Sequence, residues 1–301
     1  VVADNGPDDF YRGRIGEAIA AASWLGAEDL AGVHAQWVRP LSLRYRDVDI
    51  FEMPAPTQGI AALEGLGLLE QLGEPTLPNQ VRAVALALED ARARVRDGAD
   101  VGDLIDPEFL QRRHLETPHL APEPSGGTVY LCVLDSDGMA VSFIQSLYEP
   151  FGSGVVVPGT GIVLNNRASC FKVNGLVEPG RRPYHTTIPA MLVEEGRLRG
   201  PAGVMGGFIQ AQAHVQLVSG LIDRGLDPQA ALDLPRFRLD YDAVRIEEGL
   251  WESQDEFTST GYRVILEEDR LQFGGGQAIQ IVDGHILGGS DARKDGFVAG
   301  F

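Results

Sequence analysis

Apolar residues in the first part of the chain recur at helical spacing. Phe10, Ile15, Ile19 and Ala22 follow Asp8 and Asp9, either of which can cap a helix, and the run stops at Gly26. A shorter helix begins over residues 28–30. Residues 34–38, 41–45 and 48–52 read as short strands around Pro40 and Asp47. The turn Pro54-Ala55-Pro56-Thr57-Gln58-Gly59 opens a helix through Ile60, Leu63, Leu66 and Leu69. Asn79 can cap another, through Val81, Val84, Leu86, Leu88 and Val95.

The pattern changes at residues 120–127, Leu-Ala-Pro-Glu-Pro-Ser-Gly-Gly, the clearest linker in the chain. Beyond it, residues 128–134 and 140–148 alternate and flank Ser136-Asp137-Gly138. This reads as a hairpin with Gly138 left-handed and Asp135 opposite Met139. Counted outward, that register puts Thr128 opposite Ser146, and a slip of one residue would bring Gln145 or Leu147 there instead. Residues 152–157 and 161–165 continue the strand pattern, and residues 172–182 form an irregular loop. Extended segments at 186–194 and 200–205 lead to Gly206-Gly207, which opens a helix through Ile209, Ala213, Leu217 and Ile222. Asp227-Pro228 starts another helix, ending near Pro235. The tail reads as strands at 244–247, 262–266, 278–282 and 285–288, with a short helix after Trp251 and a loop at Gly274-Gly275-Gly276. Strands in runs and helices in runs imply an α+β fold of sheets covered by helices.

Composition narrows the partners. The chain has 301 residues with 44% hydrophobic, enough for a sizeable core. Its net charge of −18 disfavours nucleic acid and anionic membrane, both of which need a basic footprint. No apolar run approaches the ~18–20 residues that span a bilayer. Two cysteines, Cys132 and Cys170, make no disulfide framework, and Cys132 reads as a small core residue. The six histidines lack metal-ligand spacing, and no nucleotide-binding glycine motif is present, so neither a metal nor a cofactor is expected. No signal peptide is present and the first residue is not Met, so the chain reads as a fragment whose compartment is not legible.

The chemistry centres on Thr128, which follows Gly126 and Gly127 at the start of a strand. A threonine hydroxyl needs an adjacent base to attack a carbonyl. Its own α-amine can serve once the Gly127–Thr128 bond is cut, so no histidine is required. Taken alone, a threonine in this place is a strand-edge residue. The N–H groups at Gly206 and Gly207, ahead of a helix, suit a developing oxyanion or belong to a simple tight turn. Ser146, if opposite Thr128, can bond its hydroxyl or amine. Arg167, after Asn165-Asn166, can meet a substrate carboxylate in bidentate fashion. Arg181 and Arg182 can do likewise or remain solvated loop charges. Asp135 and Asp137 are turn residues. Asp291, Arg293, Lys294 and Asp295 read as a solvated charged turn.

Taken together, these segments resemble the gamma-glutamyltransferase family of N-terminal-nucleophile hydrolases. The resemblance covers essentially the whole chain. Asn5-Gly6-Pro7-Asp8-Asp9-Phe10-Tyr11-Arg12-Gly13 is similar to a family NGPDEFYxG segment, and Met53-Pro54-Ala55-Pro56-Thr57-Gln58-Gly59 to its MPPPSSGG turn. Thr128 with Asp135-Ser136-Asp137-Gly138 matches the start of the small subunit. Phe151-Gly152-Ser153-Gly154, Leu164-Asn165-Asn166, Arg182-Pro183, Gly206-Gly207, Pro235-Arg236-Phe237 and Asp291-Ala292-Arg293-Lys294-Asp295-Gly296 follow in family order.

The resemblance implies a four-layer αββα sandwich and autocatalytic cleavage of a zymogen between Gly127 and Thr128. Residues 1–127 would be the C-terminal part of a mainly helical large subunit, lacking its upstream segment. Residues 128–301 would be the small catalytic subunit, remaining associated with it. Thr128 would be the nucleophile, Gly206 and Gly207 the oxyanion donors, and Ser146 the partner that bonds the nucleophile. The implied substrates are γ-glutamyl amides, as in glutathione metabolism, with transfer to water, an amino acid or a peptide. Five pocket positions depart from the pattern. Tyr148 stands where the family has Asn, Arg167 where it has Gln, and Cys170 where it has the acidic residue that holds the glutamyl α-amine. His185-Thr186 replaces a Ser-Ser pair. Two alternatives follow: an acylase of the same mechanism acting on glutaryl-type amides, like the cephalosporin acylases, or an uncleaved, non-catalytic scaffold.

Overall fold

A computed structural model describes residues 2–119, 126–173, 175, 177–240 and 242–300. The chain opens with four short helices, α1 (Val2–Asn5), α2 (Asp8–Arg12), α3 (Arg14–Ala22) and α4 (Ala27–Ala31). The single helix expected from Asp8 to Gly26 is therefore broken. Gly13 is extended, with φ −103° and ψ −155°, and the second piece closes at Ser23. Ile19, Leu30 and Val157 form a small core of their own beneath these helices.

The strand expected over residues 34–38 does not form. Trp37 is fully exposed, and a segment with no neighbouring strand leaves its backbone groups to water. The next two strands form as read: β1 (Leu41–Tyr45) and β2 (Val48–Glu52) pair antiparallel about Arg46-Asp47, with Tyr45 opposite Val48. Helices α5 (Gly59–Leu72) and α6 (Leu77–Arg94) follow. The cap of α6 is Thr76, whose hydroxyl accepts from the Asn79 N–H, so Asn79 lies in the first turn and is not the cap. Helix α7 (Pro107–Arg113) ends this part, and most of the expected linker, residues 120–125, lies outside the described residues.

The later segments supply β3 (Gly127–Leu134), β4 (Ala140–Tyr148), β5 (Ala190–Glu194), β6 (Arg197–Met205), α8 (Ile209–Ile222) and α9 (Pro228–Asp233). They are followed by β7 (Phe237–Asp240), β8 (Ala243–Ile246), α10 (Gln254–Thr258), β9 (Arg263–Leu266), β10 (Gly275–Val282) and β11 (His285–Ser290). Strand β7 is not anticipated by the sequence; it pairs antiparallel with β8. Residues 152–157 and 161–165 do not form the full strands expected, but they face each other antiparallel through the Val156–Val163 bridge and backbone bonds such as Val157 N–H to the Ile162 carbonyl at 2.8 Å. Gly275 and Gly276 lie inside β10, not in a loop. They pair with Met205 and Val204, and a Cβ on Gly276 would sit 2.5 Å from Leu232.

The main sheet is antiparallel, in the order β1-β2-β5-β6-β10-β11. It draws strands from both sides of the Gly127–Thr128 bond. Helices α5 and α8 pack on the sheet and on each other, with α6 against both. Hairpin β3–β4 lies across β6 and β10. Side chains alternate between sheet faces, and Gly203 is where the hairpin comes closest: a Cβ there would meet the Tyr130 ring at 2.4 Å. Its neighbours Ala202 and Val204 point the other way, into the core shared with α5 and α8. The outward face of the hairpin carries Val129, Leu131, Val133, Val141 and Phe143, each 42–54% exposed. Helices thus cover one face of the main sheet and the hairpin part of the other. The outer helical layer of a four-layer sandwich does not appear among the described residues.

The expected solvated turn at residues 291–295 is in part a buried latch. Asp291 and Arg293 are 1% and 4% exposed. Arg293 donates to the carbonyls of Leu232 and Leu234 at 2.9 and 2.8 Å and forks onto the carboxylate of Glu247. Asp291 accepts from the Gly276 N–H at 3.0 Å, and its Oδ2 lies 2.8 Å from Arg236 Nη2. Charges this buried are ordinarily paired, and here the pairing ties the last segment to β10 and to the loops around α9.

Candidate active site

Thr128 is the second residue of β3. The register is the expected one through Val129, opposite Gln145, but it shifts before Gly127, which pairs with Tyr148. Ser146 and Leu147 therefore both face Thr128, a bulge that turns β4 at its end. The count to Ser146 holds: the Thr128 and Ser146 hydroxyl oxygens are 3.4 Å apart. Ser146 also donates to the carbonyl oxygen of Gly127 at 2.5 Å and accepts from the Tyr148 N–H at 2.8 Å. One hydroxyl thus touches the nucleophile candidate and the carbonyl preceding it.

Gly206 and Gly207 occupy positive φ, +130° and +75°, between β6 and α8. Side chains rarely adopt either angle, and a Cβ on Gly206 would sit 2.8 Å from Ile209. Gly206 lines one cleft with Gly127 and Thr128. The Gly207 carbonyl accepts from Gln58 Nε2 at 3.2 Å.

Gln210, in the first turn of α8, is a site residue that the sequence reading missed. Its carboxamide lies 3.1 Å from Thr128 Oγ1. The Thr186 carbonyl and the Gly207 N–H favour one orientation of it over the other, in which Oε1 instead accepts from the Ile188 N–H at 3.3 Å. With the nitrogen toward the Thr186 carbonyl at 2.6 Å, Oε1 accepts from the Gly207 N–H at 3.2 Å and faces the Thr128 hydroxyl. That hydroxyl has one proton, so it serves either Gln210 or Ser146 at a given moment. Gln58, in the turn before α5, is a second such residue. It is fully buried and bridges the carbonyls of Thr186 and Gly207. The available signal was the same for both: a glutamine at the head of a largely buried helix, whose carboxamide needs partners once buried.

The remaining candidates gather beside Ser146. Arg167 begins a 3-10 turn, Arg167–Val173, and is 6% exposed. Its Nη1 donates to Thr186 Oγ1 at 3.0 Å and approaches Cys170 Sγ at 3.7 Å, and its guanidinium lies 4.6 Å from the centre of the Tyr148 ring. Asn165 and Asn166 fasten this turn: Asn165 Oδ1 accepts from the Arg167 N–H and Asn166 Oδ1 from the Glu149 N–H. Burial pushes the Cys170 thiol up, against the opposing pull of Arg167, and burial likewise raises the Tyr148 phenol. Both are neutral at ordinary pH. His185 Nδ1 lies 2.8 Å from the Pro183 carbonyl, and burial, reinforced by Arg167 and Arg182, lowers its pKa. It does not touch Thr128.

Arg182 is committed to Asp97 at 2.8 Å, and Arg181 to Glu178 at 3.4 Å. Asp135 is the turn residue expected, accepting from the N–H groups of Asp137 and Met139. Cys132 is only partly buried, on β3. Among the described residues, no group of three His, Cys, Asp or Glu side chains converges as a metal site, and no helix is long and apolar enough to cross a membrane.

A threonine at the start of a strand, sharing a cleft with a glycine at a strand-to-helix junction in a mixed α+β fold, is an arrangement compatible with the N-terminal-nucleophile hydrolases. Comparison with known proteins narrows the class. The family model for gamma-glutamyltranspeptidase matches residues 1–301, and the chain belongs to that family. It is 30% identical to the glutathione hydrolase-like YwrD proenzyme of Bacillus subtilis and 31% identical to the oxamate amidohydrolase proenzyme of Klebsiella pneumoniae. All of the chain aligns in both cases, with 64% and 63% of those proteins. A crystal structure of cephalosporin acylase from Bacillus halodurans superposes with a TM-score of 0.91 at 37% identity, over 99% of this chain and 60% of that one. The chain thus spans less than two thirds of the length of these relatives.

Proposed function

We propose that the protein cleaves itself between Gly127 and Thr128 and then works as a threonine amidohydrolase or acyltransferase. The observation that carries this reading is the single hydroxyl of Ser146. It donates to the Gly127 carbonyl while lying 3.4 Å from Thr128 Oγ1. In self-cleavage, Thr128 Oγ attacks the Gly127 carbonyl carbon and its proton passes to the departing nitrogen. Water then splits the resulting ester, which leaves a carboxylate on Gly127 and a free amine on Thr128. Ser146 stabilises the oxyanion of the first step.

In turnover, the freed amine takes the hydroxyl proton and Thr128 Oγ attacks the substrate amide. The proton goes on to the leaving amine, and water or another amine releases the acyl group from the ester. Gly206 and Gly207 would offer N–H groups to the oxyanion. The Gly207 N–H is held by Gln210, so an incoming oxyanion has to take that carboxamide's place. Cleavage would leave residues 1–127 and 128–301 associated, because β1 and β2 are built into the same sheet as β5, β6, β10 and β11. In the whole protein a further helical layer would cover the apolar outer face of β3–β4 and complete the four-layer sandwich.

γ-Glutamyl amides are the first substrates to assay. A second reading, an acylase for acyl groups without an α-amine, is favoured by Cys170, a buried neutral thiol where an ammonium would need a carboxylate. Thr128→Ala tests the common core. It should yield one intact chain with no release of p-nitroaniline from any acyl anilide, and two chains with turnover would refute the reading.

A further inference from the structure

Arg167 carries a buried positive charge that the fold leaves unanswered. Among the described residues no carboxylate lies within 4.0 Å of its guanidinium. Nη1 bonds Thr186 and approaches Cys170, and neither is charged. A cation this buried ordinarily has an anion beside it. Among the described residues its partners are the Tyr148 ring, whose centre lies 4.6 Å from the guanidinium carbon, and neutral side chains. Arg167 lines a cavity of about 590 Å³ whose wall also includes Ser146, His185 and Arg181. Thr186 joins this cation to the nucleophile: its hydroxyl holds Arg167 and its carbonyl holds Gln210, which faces Thr128 Oγ1.

We propose that Arg167 is the receptor for a carboxylate on the acyl group, so that the protein selects amides whose acyl chain carries a carboxylate and no ammonium. This rests on the acyl-transfer reading above and names the substrate class of that same site. The planar fork of an arginine matches a carboxylate with two parallel N–H donors, and Nε and Nη2 make no hydrogen bond among the described residues. An ammonium in the same cavity would meet the Arg167 cation, and among the described residues no carboxylate lines that cavity to receive it.

The experiment uses the full-length protein and three p-nitroanilides of equal chain length: glutaryl, pentanoyl, which lacks the carboxylate, and γ-L-glutamyl, which adds the ammonium. The expected order of kcat/KM is glutaryl first, by about 10- to 100-fold over pentanoyl, the range that charge-assisted hydrogen bonds contribute. Arg167→Gln should collapse the glutaryl-to-pentanoyl ratio by about the same factor. Arg167→Lys, which keeps the charge but not the fork, should recover part of it. Cys170→Asp places a carboxylate against Arg167 and should move preference toward γ-glutamyl. Glutarate, but not pentanoate, should bind the wild-type protein in calorimetry, a readout independent of turnover. A γ-glutamyl preference in the wild type, or an unchanged ratio in Arg167→Gln, overturns the proposal while leaving acyl transfer at Thr128 intact. Absence of both self-cleavage and turnover of all three anilides overturns the acyl-transfer reading and this proposal with it.

Discussion

Replacing Ser146 with alanine should slow self-cleavage far more than it loosens the fold. The Ser146 hydroxyl donates to the Gly127 carbonyl at 2.5 Å and accepts from the Tyr148 N–H at 2.8 Å and, more weakly, from the Thr128 hydroxyl at 3.4 Å. Losing a positioned donor to a developing oxyanion costs about 10²–10³ in rate. Leaving a part-buried N–H without its acceptor costs about 1–3 kcal/mol of stability. The assay is a time course on a denaturing gel, following conversion of the intact chain into two, with urea unfolding run in parallel. Ser146→Thr keeps the hydroxyl and should restore most of the rate, since an added methyl does not remove the donor. Cleavage of Ser146→Ala within about threefold of the wild type, well outside the range set by that lost donor, would refute the assignment of Ser146 to the scissile carbonyl.

Other expectations follow from the same geometry. Gln210→Met keeps the length of the side chain but removes the group facing Thr128 Oγ1 and the Gly207 N–H; kcat should fall by roughly 10-fold or more, as for a lost orienting hydrogen bond, and an unchanged kcat would count against any role for it. Arg293→Met leaves the buried carboxylates of Glu247 and Asp291 short of their partner and should cost about 3–5 kcal/mol in urea unfolding; a loss below about 1 kcal/mol, the scale of an exposed pair, would mean the latch is solvated after all. Glu64 is fully buried with both oxygens unpartnered, and burial, followed by neighbouring Asp90, pushes its pKa well up against the opposing pull of Arg113 and Arg94. A raised folded pKa means that its contribution is complete below the ordinary carboxylate range and is lost as pH rises through the folded value. Glu64→Gln should therefore gain stability relative to the wild type between pH 5 and pH 8, and a pH-independent difference in unfolding free energy would contradict this.

Local patterning made the elements around the site legible. The hairpin register followed from Gly138 and strict alternation, and it brought Ser146 to Thr128 within the accuracy of a one-residue bulge. The junction at Gly206-Gly207 was legible because a strand must turn into a helix there. What failed were segments whose state depends on distant partners. Residues 34–38 alternate like a strand but have no strand to pair with. Asp291 and Arg293 look like surface charges until Glu247 and Arg236 arrive from other parts of the chain. Gln210 and Gln58 escaped for a related reason. A glutamine's sequence context does not say which carbonyls it will be folded against, and here those belong to Thr186 and Gly207. Arg167 was singled out as a carboxylate partner, but its isolation from every described acid is visible only in three dimensions.

The central claim is that Thr128 becomes a free N-terminus and carries the acyl group. Intact-mass spectrometry of the purified protein, before and after a brief acid-quenched incubation with substrate, tests it directly. The account predicts two polypeptides, the second beginning at Thr128, and a mass increase equal to one acyl group on that second polypeptide alone. A single uncleaved chain, or an adduct on the polypeptide that ends at Gly127, would contradict it.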